Sequence, residues 1–152
     1  MADVPPAHDD ALPHLHQWLP LLSESLATQG HFRWQVRGAS MTPTLPPGCV
    51  ITITPPPAQI PLGALLVFAG DDALVVHRLV HRTPHFLVTQ GDNRRTPDRW
   101  LRADQVLGVV AAAHQDGRRI WPRTWEAARR WRWIGRAGSL WLLRRLQKAA
   151  TS

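Results

Sequence analysis

Ser40 stands inside a segment whose composition would hold its hydroxyl exposed on a rigid turn. The segment runs from Gly38 to Gly48 and reads Gly-Ala-Ser-Met-Thr-Pro-Thr-Leu-Pro-Pro-Gly. Small residues before the serine let the backbone turn sharply, and the prolines after it hold the chain in a fixed, non-helical path. A hydroxyl mounted in this way suits a nucleophile, although the segment alone equally fits an ordinary proline-rich turn.

Further patterns follow this segment at positions where they could complete a catalytic site. His77 stands in the middle of a strand pattern, Leu-Val-Val-His-Arg-Leu-Val. A Gly-Asp-Asn turn follows at residues 91–93, and Asp98 stands seven residues after the glycine of that turn. A Leu-Gly-Val run at residues 107–109 closes the series. A lysine base is not available here, because the single lysine of the chain, Lys148, belongs to its C-terminal tail.

In this order, the patterns resemble the signal peptidase I superfamily of serine peptidases, whose fold is shared by the self-cleaving LexA-type repressors. The resemblance covers about residues 32–113, from the serine-methionine box to the closing Leu-Gly-Val strand. Most bacterial members use lysine as the base, whereas this chain has Val-His-Arg there, as in the eukaryotic-ER and archaeal type. The resemblance therefore implies Ser40 as nucleophile, His77 as general base and Asp98 as the carboxylate that orients the base.

These three residue types also make chemical sense together. A serine hydroxyl is a poor nucleophile unless a base lies beside it. A free histidine, with a pKa of about 6.5, can accept the hydroxyl proton near neutral pH. The predicted activity therefore rises as the imidazole loses its proton. A carboxylate on the far side of the ring selects the correct tautomer and stabilises the imidazolium.

Stabilisation of a tetrahedral intermediate requires hydrogen-bond donors for its oxyanion. The backbone N–H of Ser40 is one candidate. Some members of the superfamily add a hydroxyl two residues before the serine, where this chain has Gly38, so a second donor is not assigned. The Asp and Asn of the Gly-Asp-Asn turn are predicted to cap that turn. The predicted supporting residues are Gly38, Ala39 and Met41 beside the serine, and Gly91, Asp92 and Asn93 in the turn.

Other interpretations of the histidines and of the cysteine are open. In isolation, His77 also fits a half-buried strand histidine. His77, His81 and His85 are evenly spaced, but residues four apart on a strand lie roughly 13 Å apart, too far to share one zinc ion. The sequence therefore predicts no metal site, and it predicts no cofactor. Cys49 lacks the surroundings that a thiol nucleophile needs.

The apolar patterns predict a mainly β protein, and the resemblance implies a LexA/signal-peptidase-like fold for it. Helical spacing of apolar residues predicts an amphipathic helix over residues 14–30. After it come strand patterns whose connections are too short for parallel crossovers, so the sheets should be antiparallel. The predicted organisation is a disordered leader (1–13), the helix, a β catalytic domain (31–117) and a basic helical tail (118–152). The predicted strands are Phe32–Arg37, Cys49–Thr54, Ala64–Phe68, Leu74–Arg82, Phe86–Gln90 and Val106–Ala113.

The positive charge of the chain is concentrated in the tail. The net charge is +7, and residues 118–152 hold nine arginines and one lysine against one glutamate. Tryptophan and arginine interleave over Trp121–Lys148, which suits an anionic membrane surface. A helix that packs its tryptophans back on the domain fits equally well, and nucleic acid is the least favoured partner. No apolar run is long enough to span a bilayer and no signal peptide is evident, so a cytoplasmic location, free or peripheral on the membrane, is expected.

The function predicted from the sequence is that of a serine endopeptidase of the signal-peptidase type. It would cleave an extended peptide or a precursor protein by a Ser-His-Asp mechanism. The alternative is a catalytically inactive, peptidase-like binding module that docks on a membrane or an acidic partner through its basic tail.

Overall fold

The computed structural model describes residues 15–122, in which one helix packs against an antiparallel sheet of seven strands. The helix, α1, spans Leu15–Gln29. A short 3₁₀ helix, Ala103–Gln105, precedes the sixth strand. The predicted leader, and the predicted tail beyond residue 122, lie outside the described residues. The strands are β1 Phe32–Gln35, β2 Val50–Thr54, β3 Leu65–Ala69, β4 Leu74–Arg82, β5 Leu87–Gln90, β6 Val106–Gln115 and β7 Arg118–Trp121.

The sheet runs in the order β1-β2-β6-β3-β4-β5, and β7 pairs with β6. Every neighbouring pair is antiparallel, which confirms the predicted fold class. The hairpin between β3 and β4 turns through Asp71-Asp72, as predicted, and is closed by the Gly70 N–H donating to Ala73 O at 2.8 Å.

The strand β7 is an addition to what the sequence pattern predicted. Asp116 and Gly117 connect it to β6 with positive φ angles of 50° and 73°. Asp-Gly in that conformation forms the two-residue hairpin turn that matches the twist of paired strands. The sheet therefore continues to Trp121, past the domain boundary predicted after residue 117.

Two apolar clusters lie on opposite faces of the central strand β3, because side chains alternate along a strand. Leu65 and Val67 belong to the first cluster, and Leu66 and Phe68 belong to the second. The helix α1 covers the first cluster with Leu22 and Leu26, part of the apolar stripe that predicted the helix. No helix within residues 15–122 has the length and apolar character needed to cross a membrane.

Candidate active site

Ser40 lies at the start of a turn whose next residues are anchored in the core. Met41 and Leu45 are buried in the first apolar cluster, with exposed fractions of 2% and 0%. The turn is closed by the N–H of Thr42 donating to Ala39 O at 3.1 Å and by the N–H of Leu45 donating to Met41 O at 2.9 Å. Ser40 itself stays half-buried. Burial of Met41 and Leu45 thus fixes the backbone from which the Ser40 side chain extends.

The ring of His77 faces that hydroxyl from the middle of β4. Its Nε2 atom lies 3.0 Å from Ser40 Oγ. The strand register sets His77 opposite Leu66 of β3, and its ring forms a T-shaped contact with the Phe68 ring, with 6.1 Å between the centroids. Alternation along β4 therefore turns this histidine inward, to an exposed fraction of 6%. Packing on that face restricts the rotation of the ring.

Asp98 contacts the opposite nitrogen of the same ring. The distance from His77 Nδ1 to Asp98 Oδ2 is 2.5 Å. A carboxylate accepts hydrogen bonds, so this contact favours the tautomer with the proton on Nδ1 and leaves Nε2 as an acceptor for the serine O–H. The three residues that the resemblance implied thus form one continuous hydrogen-bonded chain.

Thr89 holds the aspartate in place, and the sequence offered no signal for this role. Its hydroxyl donates to Asp98 Oδ2 at 2.8 Å, and its carbonyl accepts the Asp98 N–H at 2.8 Å. The side chain is fully buried in β5. A threonine within a strand pattern carries no mark of function, because threonine is common in strands for its shape alone.

The Gly-Asp-Asn turn clamps the backbone beside the serine. Asn93 donates from its backbone N–H to Ser40 O at 2.8 Å and from Nδ2 to Ala39 O at 3.2 Å. Gly91 lies so close to Ser40 and His77 that a methyl group on its Cα would stand 2.7 Å from Ser40 O and 3.0 Å from His77 Nε2. Glycine is required here because of this close approach. Its φ angle is not in the left-handed region, so the backbone conformation does not itself require glycine.

Replacement of Gly91 by alanine is expected to lower kcat/KM for a peptide substrate about 10- to 100-fold. The new methyl group would push the Ser40 backbone away from His77, and a misplacement of about 1 Å can cost that much. Gly108→Ala is the matched control, because its methyl would meet Ile53 and Thr54 of β2 at 2.5 and 2.8 Å. The control should lower the melting temperature yet keep the activity per folded molecule. Equal activity losses in both variants would contradict this role of Gly91.

Asp92 lies at the centre of a hydrogen-bond network that links the turn to β4. Arg78 donates to its carboxylate from Nε at 2.8 Å and from a terminal nitrogen at 2.7 Å, and Thr44 donates at 2.5 Å. The same guanidinium lies over the Trp121 ring, 5.1 Å from its centroid. Burial raises the pKa of Asp92, but the hydrogen bonds from Arg78 and Thr44 and the charge of Arg78 outweigh it, so the pKa is lowered. Arg78, which sequence reasoning did not single out, thus braces the turn.

Replacement of Asp92 by asparagine is expected to lower the free energy of unfolding by about 1–3 kcal/mol at pH 7, since a charged, half-buried pair is broken. A lowered pKa in the folded state stabilises the protein above the unfolded pKa of about 3.9, and this contribution is lost as the pH falls through the folded value. The difference between the two proteins should therefore shrink towards pH 2, as measured by urea unfolding. Asp104→Asn breaks only an exposed pair with Arg102 and should cost about 0–1 kcal/mol at both pH values. A difference for Asp92→Asn that does not change with pH would contradict the assignment.

The backbone N–H of Ser40 donates to no acceptor within residues 15–122. Gly38 leaves open space where a side chain would stand.

The remaining predicted candidates lie apart from this chain of contacts. His81 packs against the Phe86 ring, 6.4 Å between centroids. The described part of the chain holds no group of three or more side chains that could bind a metal ion. Cys49 is fully buried in the first apolar cluster, and this burial raises the pKa of its thiol.

An antiparallel β fold with this serine box and turn is that of the superfamily of LexA-type and signal peptidases. The chain belongs to the Peptidase S24-like family, whose family model matches residues 6–112, more than half of its length. This confirms the resemblance inferred from the sequence. No curated protein and no solved structure is significantly similar to the chain.

Proposed function

We propose that this protein is a serine endopeptidase in which Ser40 is the nucleophile, His77 the general base and acid, and Asp98 the orienting carboxylate. The observation that supports this best is the continuous chain from Ser40 Oγ to His77 Nε2 at 3.0 Å and from His77 Nδ1 to Asp98 Oδ2 at 2.5 Å. Hydrogen-bond reach between nucleophile and base, with the base oriented by a third group, is the geometry of an activated serine.

In the first step, Ser40 Oγ forms a bond to the carbonyl carbon of the scissile peptide while its proton moves to His77 Nε2. The carbonyl oxygen becomes an oxyanion, and the N–H of Ser40, which donates to no other group within residues 15–122, is the donor proposed for it. The intermediate collapses when the C–N bond breaks and His77 returns the proton to the leaving amine. Water then attacks the acyl-serine ester, with His77 again taking and returning the proton, which releases a carboxylic acid and restores Ser40.

The edge of β4 before His77 suits an extended peptide substrate. Leu74–Arg78 pair with β3 on one side, while β5 pairs on the other side only from Arg78 onward. Within residues 15–122, the backbone of Leu74–Val76 therefore has no strand partner on the β5 side. A peptide that adds a strand to this free edge would gain main-chain hydrogen bonds and bring one of its carbonyls beside the histidine. Substrates are accordingly unfolded peptides or extended segments of precursor proteins.

The proposal is tested by incubating the purified full chain with a proteome-derived peptide library and reading new termini by mass spectrometry. The expected result is cleavage at reproducible sequences. A library that is bound but stays intact would refute the peptidase and favour the inactive binding module.

A further inference from the structure

The loop that carries Asp98 displays three arginines without an acidic partner in the described part of the chain. Arg94, Arg95 and Arg99 are exposed, and none of them forms an ion pair within residues 15–122. Arg102 differs, because it pairs with Asp104 at 3.0 Å. A concentration of unpaired cations next to a site for peptides attracts negative charge on the molecule that binds there.

The side chain of Arg94 begins beside His77 Nε2, the atom that faces the Ser40 hydroxyl. A methyl group on Gly91 would stand 2.8 Å from Arg94 Cγ and 3.0 Å from His77 Nε2. These two atoms thus flank the same point beside Gly91 Cα. His77 Nε2 is also the atom that faces Ser40 Oγ, so the aliphatic part of Arg94 passes next to the nucleophile-base pair.

The backbone of Arg94 is held on both sides, which fixes the root of its side chain. Its N–H donates to Gly91 O at 2.9 Å, and its carbonyl accepts from Gln90 Nε2 at 2.8 Å. A long side chain can pack its methylene groups on the protein while its charged end stays in water. Arg94 is exposed, and its side chain begins beside Gly91, so its guanidinium can reach a group of a peptide that is bound at Ser40.

We propose that Arg94 binds a carboxylate of the substrate within two residues of the scissile bond. This inference rests on the proposed peptidase function. The planar guanidinium can donate two parallel hydrogen bonds to a carboxylate, a geometry that an amide or a hydroxyl of the substrate cannot match. The carboxylate is supplied either by an aspartate or glutamate side chain or by the C-terminus of a short peptide.

The test uses synthetic pairs of a cleaved peptide that differ only by aspartate against asparagine at one position near the scissile bond. The full-length protein should cleave the acidic member about five- to tenfold more efficiently, mainly through a lower KM, and less so at high salt. Arg94→Gln should bring the ratio of the two efficiencies to about one, whereas the matched control Arg95→Gln should keep it. A peptide that ends near the scissile bond is compared as its free acid and as its C-terminal amide. A preference for the free acid that depends on Arg94 identifies the C-terminus, and not a side chain, as the source of the carboxylate.

A binding measurement separates failure of this inference from failure of the peptidase. Fluorescently labelled peptides are titrated with Ser40→Ala protein, with and without Arg94→Gln. Tighter binding of an acidic peptide that depends on Arg94 supports the carboxylate site even if no peptide is cleaved. Cleavage without a preference for the acidic peptide would overturn the carboxylate site and leave the peptidase in place. The same conclusion follows if the preference survives Arg94→Gln, or if Arg95→Gln removes it equally.

Discussion

Ser40→Ala is expected to abolish peptide cleavage, with kcat falling about 10⁶-fold, the size of the loss when an activated serine is removed from another serine peptidase. The hydroxyl is the group that bonds to the substrate carbonyl, and no other hydroxyl in the described residues contacts His77 Nε2. Residual cleavage would come only from binding and the oxyanion donor. Peptide binding should remain, because the alanine removes only the hydroxyl of a half-buried side chain.

The matched control for this substitution is Ser25→Ala. That hydroxyl lies in α1 and donates to His31 O at 2.9 Å, without any contact to the site. The control should cleave the library like the unchanged protein, which excludes a general effect of serine removal. Cleavage that persists in Ser40→Ala would mean that a different nucleophile, or a contaminating enzyme, performs the reaction.

Asp98→Asn is expected to lower kcat about 10³- to 10⁴-fold with little change in KM. Two effects add. An asparagine carries no charge to stabilise the imidazolium, and its NH₂ group, if turned towards His77 Nδ1, would favour the wrong tautomer. The Thr89 hydroxyl donates to Asp98 Oδ2, the oxygen that His77 Nδ1 also contacts. In the Asp98→Asn protein this donor therefore favours the amide oxygen, and not the NH₂ group, at the position of Oδ2. The fall in kcat of the single variant should then come mainly from the lost charge. Thr89→Val together with Asp98→Asn should lower kcat further, because it also removes the preference for the amide oxygen.

Asp104→Asn is the control for the aspartate, since it removes an exposed carboxylate from the same stretch of chain. It should leave kcat unchanged within about twofold, because its partner Arg102 is exposed as well. Melting temperatures measured in parallel show whether a variant is merely less stable. If the Asp98→Asn protein keeps most of its kcat, Asp98 has only a structural role and the catalytic site consists of Ser40 and His77 alone.

Local periodicity was sufficient to predict the helix and six of the strands. Apolar residues three and four apart can share one face only on a helix, and short β-branched runs between prolines and glycines suit strands. The pattern missed β7, because Arg118-Arg119 carries no apolar alternation. The signal was instead the turn Asp116-Gly117, whose positive φ angles suit a hairpin.

The sequence by itself determined which residue types stand at which spacing, and so the family and the proposed roles of Ser40, His77 and Asp98. Only the tertiary structure decided that Thr89 holds the aspartate, that Arg78 braces Asp92, and that Arg94 begins beside His77 Nε2. These contacts join residues on different elements, across a strand pair or around a turn. They depend on sheet register and on the approach of Gly91 to Ser40, which no local pattern encodes.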